Sequence, residues 1–282
     1  MSLPTSNPAP RPTGPFARAA LATGAISVWE ALALTALTFA ALASFGAAWS
    51  ARGLGGTVLA ELGCVLLPVA LLVWLRRVRP PLLGLARPFD GAAAWRPWLA
   101  IVGALLAGAG AFYLVASGIE PSIERLWPTP AALRESLQRM VIPPSGARPI
   151  VIDLLALALV PAVAEELLFR GVLWGALEKR LGVAATLLST SVIFGLYHGS
   201  IYRFVPAMMG GLLIGGVRAW SGALLPSVAF HFANNAGVLV AMHFGYDTPP
   251  ATLAPVAIAM ATSGIGALLI KSGRCASSSS SS

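Results

Sequence analysis

Charged side chains are scarce in this sequence. Its 282 residues include 19 lysines and arginines and 11 aspartates and glutamates, so that 11% of the chain is charged while 57% is hydrophobic. A water-soluble domain carries about twice that share of charged residues, mostly on its surface. The composition therefore excludes a soluble domain and predicts a membrane protein.

Other features are missing as well. Cys64 and Cys275 are the only cysteines, too few for a disulfide framework, and their spacing is not that of a metal site. The sequence contains no HExxH zinc motif and no internal repeat of the kind found in many secondary transporters. Nucleic-acid binding is not expected despite the net charge of +8, because the positive residues lie in links beside apolar segments.

Long apolar runs are what the sequence does contain. Segments of about 20 residues, enough to cross a hydrocarbon core of about 30 Å, recur along the chain. They predict an all-α fold, a polytopic membrane protein with about eight transmembrane helices. The predicted spans are 26–49, 54–75, 97–119, 150–177, 183–201, 204–219, 222–243 and 252–271.

The spans define one membrane domain, residues 26–271, with its catalytic core expected at 150–243. Residues 1–25 are rich in proline and predicted to be disordered, and residues 272–282 form a low-complexity tail. The most basic link, "RRVRP" at 76–80, is predicted to be cytoplasmic, and both termini fall on the same side. The abundance of Ala, Gly, Arg and Pro favours the inner membrane of a bacterium with a GC-rich genome.

The polar residues inside the later spans are the main indication of function, because charge at bilayer depth costs about 2.5 to 3.5 kcal/mol on insertion scales. In "AEELLFRG", Glu166 and Arg170 are four residues apart on one helix face and can neutralise each other. Glu165 points elsewhere and has no basic residue three or four positions away. It is the carboxylate that the local sequence leaves unpaired.

Two further helices supply imidazole and amide groups. His198 ends "FGLYH", and "HFANN" places His231 and Asn235 four residues apart on one face. If a hairpin turns between residues 181 and 182, Glu165 and His198 lie at the same depth. A carboxylate and an imidazole can activate a water and later protonate a leaving amine, while His231 and Asn235 can donate hydrogen bonds to an oxyanion.

These three motifs together resemble the CPBP intramembrane proteases, a family that includes type II CAAX prenyl endopeptidases and bacteriocin-processing or immunity proteins. "EELLFR" matches EExxxR, "FGLYH" matches FxxxH and "HFANN" matches HxxxN, in the family's order. The resemblance implies that Glu165 and His198 activate the water, that Glu166 and Arg170 hold the first glutamate, and that His231 and Asn235 bind the oxyanion. The implied substrate is a membrane-associated peptide or protein.

The resemblance further implies a glutamate-based mechanism, and no cofactor is expected. The alternative is a zinc ion held by Glu165, His198 and His231 on three helices, with Asn235 a poor ligand. Two other classes of function stay open: a secondary transporter, which ion-coupled uptake would identify, and a non-catalytic membrane scaffold or immunity protein. Glu30 and Glu61, isolated acids in the first two spans, receive no role from the sequence.

Overall fold

The computed structural model describes residues 25–50, 52–85, 96–135, 149–244 and 252–273. Every regular element in these ranges is a helix, which confirms the predicted all-α class. Residues 1–24 and 274–282, nearly all of the predicted disordered N-terminus and of the low-complexity tail, lie outside the described residues, as do residues 86–95. The helices are α1 (Val28–Gly46), α2 (Leu54–Leu75), α3 (Arg96–Leu126), α4 (Ile150–Asp153 continued by Leu154–Leu159, Val160–Glu166 and Leu167–Leu173), α5 (Trp174–Tyr197), α6 (Ile201–Ser221), α7 (Leu224–His243) and α8 (Leu253–Ser272).

Five of these helices, α1, α2, α3, α7 and α8, are long and apolar enough to cross a membrane by length and composition. The chain is therefore a multi-pass membrane protein, but the predicted count of about eight spans is not confirmed. The predicted span 150–177 corresponds to α4 and the beginning of α5, the span 183–201 to the part of α5 after Gly182, and the span 204–219 to α6. These segments are helical but carry more polar and charged residues. The polar and charged side chains of α4 face the interior. Helix α4 packs against α1, α2 and α7, and its Asp153, Glu166 and Arg170 are buried.

The predicted hairpin is present, with a break of the helix at Gly182 in place of a loop. Gly182 has φ of 72° and ψ of 171°, far from helical values. In an unbroken helix Phe169 and Phe194 would be about 37 Å apart, yet their ring centroids are 5.0 Å apart. The chain therefore folds back on itself, with a symmetry point between residues 181 and 182. Glu165 and His198 each lie four residues beyond this aromatic contact, at the depth that the sequence predicts.

Two buried apolar clusters form the interior. The first lies between α1, α2, α4 and α5 and includes Val65 and Phe169. The second lies between α3, α6, α7 and α8 and includes Ile214 and Phe230. The polar stretch of α4 adjoins the first cluster, and His231 directly follows Phe230, so the candidate site lies where the two clusters meet.

Helices α3 and α8 touch through small residues, as helices in membranes commonly do. A Cβ atom added at Gly266 would lie 2.4 Å from the carbonyl oxygen of Gly103, whereas one added at Gly264, two residues earlier, would meet nothing within 4 Å. We expect Gly266→Ala to lower the free energy of unfolding by about 1 to 3 kcal/mol, the usual cost of overpacking, and Gly264→Ala to leave it nearly unchanged. Thermal unfolding in detergent measures both, and equal losses would contradict the close contact.

One acid that the sequence leaves unassigned has a structural role. Glu30 and Ser27 form a reciprocal cap at the beginning of α1: the Ser27 backbone N–H donates to the Glu30 carboxylate at 2.9 Å, and the Glu30 N–H donates to the Ser27 hydroxyl at 3.2 Å. The same carboxylate forms an ion pair with Arg76, just after α2. Glu30 therefore stabilises the junction of α1 and α2.

Candidate active site

A buried hydrogen-bonded chain connects α4 with α7. The Glu166 carboxylate oxygen Oε1 accepts a hydrogen bond from the Arg170 guanidinium at 3.0 Å and another from Nδ1 of His231 at 2.9 Å. Glu166 and Arg170 are fully buried, and His231 is nearly so. The predicted Glu166–Arg170 pair is thus present, and its carboxylate also orients an imidazole from another helix.

The bond to Glu166 determines how His231 can act. Because a carboxylate only accepts, Nδ1 of His231 carries the proton and donates it, so that Nε2 is the nitrogen left for other partners. Nε2 lies 4.0 Å from Oε2 of Glu165. The two adjacent glutamates therefore face the two nitrogens of one imidazole ring.

Arg170 connects α4 with α6. Its second terminal nitrogen donates to the carbonyl oxygen of Gly211 at 2.8 Å, and its guanidinium lies over the Phe194 ring, 4.8 Å from the centroid. The backbone oxygen of Arg170 in turn accepts a hydrogen bond from the Arg218 side chain at 3.3 Å. With all these contacts in the interior, Arg170 serves to position other groups.

Glu165 is partly buried, in a different environment from that of Glu166. Its Oε2 has no hydrogen-bond partner among the described residues, in agreement with its predicted lack of a local pair. The charged groups within electrostatic range of it include Glu166 and Arg170 on its own helix, Glu61 on α2 and Arg203 on α6. A carboxylate with an unused oxygen, close to an imidazole, is suited to accept a proton.

His198 lies at the end of α5 and does not contact Glu165 directly. Its Nδ1 donates to the backbone oxygen of Phe194 at 2.8 Å, which leaves Nε2 for other partners. The Phe194 ring makes edge contacts with both imidazoles, with centroids 4.9 Å from His198 and 5.9 Å from His231. The first residue of the FxxxH motif therefore contacts both histidine rings.

Asn235 follows His231 by one turn of α7. It is half-buried, and its amide makes no hydrogen bond to another described residue. It lies on the same helix face as His231, as predicted. The structure therefore brings Glu165, Glu166, Arg170 and His231 together, with His198 joined to them through Phe194 and Asn235 one turn away.

Glu61 is the acid near the site to which the sequence assigns no role. It begins a π-helical turn of α2, Glu61–Leu66, its Oε2 is buried without a hydrogen-bond partner among the described residues, and it interacts electrostatically with Glu165. The one indication in the sequence is that an acid stands alone in an apolar span. Its proximity to Glu165 depends on how α2 packs against α4.

The zinc alternative requires three side chains that can share one metal ion. Within the described ranges, no group of three or more His, Cys, Asp and Glu side chains is placed so as to hold a metal ion. Of the three residues in the zinc alternative, Glu165 and His231 lie 4.0 Å apart, and Nδ1 of His198 is bonded to the Phe194 carbonyl oxygen at 2.8 Å. The structure shows a carboxylate and imidazole cluster inside a helical membrane protein, the composition of a hydrolytic or proton-transferring site.

Comparison with known families finds a similarity in this part of the chain. Residues 147–237 match the sequence model of the family described as type II CAAX prenyl endopeptidase Rce1-like. The match includes every motif residue from Glu165 to Asn235 and confirms the predicted resemblance to the CAAX protease family. The description of the matched family is that of an endopeptidase. No curated protein and no solved structure matches the chain.

Proposed function

We propose that the protein is an intramembrane endopeptidase in which Glu165 is the general base for hydrolysis of a peptide bond. The observation that supports this most directly is the pairing of each glutamate with one nitrogen of His231, through Glu166 at 2.9 Å and Glu165 at 4.0 Å. Oε1 of Glu166 accepts from two donors, whereas no described residue donates a hydrogen bond to Glu165; Oε2 of each glutamate is buried without a partner. The two adjacent acids therefore have separate roles, one for positioning and one for chemistry.

In the proposed reaction, Glu165 takes a proton from a water molecule that His198 helps to orient. The oxygen of that water attacks the carbonyl carbon of the scissile peptide and forms a tetrahedral oxyanion. Glu165 then returns the proton to the nitrogen as the carbon–nitrogen bond breaks, so that a carboxylic acid and an amine leave. Burial among apolar helices strengthens each electrostatic step.

The oxyanion would be bound from α7. When His231 carries protons on both nitrogens, Nδ1–H remains on Glu166 and Nε2–H is free to donate to the oxyanion, and the Asn235 amide one turn away supplies a second donor. The Glu166 carboxylate stabilises the positive imidazole that this requires. Arg170 holds Glu166 in place through their ion pair at 3.0 Å.

The substrate is proposed to be a membrane-associated peptide or protein, because the site lies between helices of a multi-pass protein. The matched family is described by its action on prenylated CAAX tails. For the bacterial inner membrane that the composition favours, we propose a leader peptide or the C-terminal membrane anchor of another protein in preference to a prenylated tail.

Trapping the substrate tests this function. The Glu165→Gln protein is expressed in its native membrane and purified with whatever it retains, and the retained proteins are identified by mass spectrometry. We expect at least one retained membrane protein to be cut at a single site by the wild-type protein in liposomes. If the wild-type protein cuts none of them, the protease function is wrong, and the scaffold or transporter alternatives take its place.

Cleavage is expected to continue after prolonged treatment with a chelator. In the proposed mechanism, Glu165 activates the attacking water, and no metal-bound hydroxide is needed. Removal of divalent ions should therefore leave the cleavage rate within about twofold of the untreated rate. Loss of a general base, by comparison, lowers the rate by at least about 10²-fold. The assay compares purified protein before and after dialysis against EDTA, with zinc added back in a third sample. Loss of activity that zinc restores would make Glu165, His198 and His231 metal ligands.

A further inference from the structure

Three helix ends meet at one face of the molecule. Glu30 in the first turn of α1 pairs with Arg76 immediately after α2. The turn that follows, Pro80–Leu83, packs against the beginning of α5, where the Leu82 carbonyl oxygen would lie 2.6 Å from a Cβ atom on Gly175. Because the apolar helices end here, this face lies at the level of the lipid headgroups.

A cavity of about 140 Å³ opens at this face, between residues 25–28, the chain after α2 and the first turns of α5. Val28, Leu83 and Val172 contribute apolar walls, and Lys179 and Arg180 are the charged residues of its lining. Since a water molecule occupies about 30 Å³ in the liquid, the cavity has room for a phosphate group and far too little for a whole lipid.

The positive charge of the cavity is not compensated by nearby acids. Lys179 and Arg180 are exposed, and neither forms an ion pair with another residue of the described ranges. Glu30 is already paired with Arg76, and Glu178, the preceding residue, interacts electrostatically with Arg218 on α6. Two cations therefore remain available for a ligand.

We propose that this cavity binds the phosphate group of an anionic membrane phospholipid, with Lys179 and Arg180 as its two cationic contacts. Basic pockets between membrane helices are suited to anionic headgroups, and charge-assisted hydrogen bonds to phosphate are stronger than neutral ones. The apolar walls and the depth at helix ends favour a phosphate that carries a lipid over free phosphate. The inference does not depend on the protease function, because it concerns the opposite end of the hairpin.

Thermal stability in lipid nanodiscs tests the site. The wild-type protein is placed in discs of phosphatidylcholine alone and of phosphatidylcholine with phosphatidylglycerol in equal parts. We expect phosphatidylglycerol to raise the apparent Tm by about 2 to 4 °C, and native mass spectrometry to detect retained phosphatidylglycerol. The double variant Lys179→Gln/Arg180→Gln should lose both effects while keeping the wild-type Tm in phosphatidylcholine alone.

The matched control is Arg77→Gln/Arg79→Gln, which removes the same charge from the same face but from residues outside the cavity lining. It should keep the response to phosphatidylglycerol. The proposal is wrong if both double variants lose the response equally, since general surface charge would then explain it, or if Lys179→Gln/Arg180→Gln keeps it. Inorganic phosphate that raises the Tm of the detergent-solubilised protein by the same amount would overturn the assignment to a lipid.

Discussion

Cleavage by the Glu165→Gln variant is expected to be at least about 10²-fold slower than cleavage by the wild-type protein, since loss of a general base costs about 10² to 10⁴ in rate. Glutamine has the size and shape of glutamate but cannot take the proton of the water. The Glu165 oxygen Oε2 accepts no hydrogen bond from a described residue, so the substitution deprives no buried donor of its partner. The variant should therefore insert and fold while losing kcat.

The measurement is kcat in liposomes with a substrate captured as described above, together with the yield of folded protein from size-exclusion chromatography. Glu120→Gln serves as the matched control, because it makes the same change at an exposed position near the far end of α3. It should cleave at the wild-type rate. Normal cleavage by Glu165→Gln would show that another group is the base.

Features of the site that depend on one helix or one hairpin could be predicted from the sequence. The Glu166–Arg170 ion pair follows from a spacing of four residues on a helix, and it is present at 3.0 Å. The depth shared by Glu165 and His198 follows from a rise of about 1.5 Å per residue on both sides of a turn. The structure supplies that turn at Gly182, which takes a non-helical conformation.

Contacts between distant segments could not be predicted in this way. The Glu166–His231 hydrogen bond joins residues 65 positions apart, and Glu61 approaches Glu165 from α2, about a hundred residues earlier in the chain. No periodicity specifies such partners, because they depend on how whole helices pack. The number of membrane spans could not be predicted either, because composition does not distinguish a helix that faces lipid from one that faces protein.

Glu166→Gln is expected to affect folding where Glu165→Gln affects catalysis. The carboxylate of Glu166 accepts from both Arg170 and His231 in a fully buried position. Removing one partner of a buried ion pair costs about 3 to 5 kcal/mol, because the other charge is left without compensation. The yield of folded protein and its apparent Tm should therefore fall well below those of wild type, and below those of Glu165→Gln, the matched control one residue away.

The double variant Glu166→Gln/Arg170→Gln separates charge from packing. Neutralising both partners removes the uncompensated guanidinium, so part of the lost Tm should return. Full recovery is not expected, because Arg170 also donates to the Gly211 oxygen at 2.8 Å and packs on the Phe194 ring, and a shorter neutral side chain reproduces neither contact. A double variant no more stable than Glu166→Gln, or a Glu166→Gln protein as stable as Glu165→Gln, would mean that the ion pair does not stabilise the fold and that Glu166 acts mainly by orienting His231.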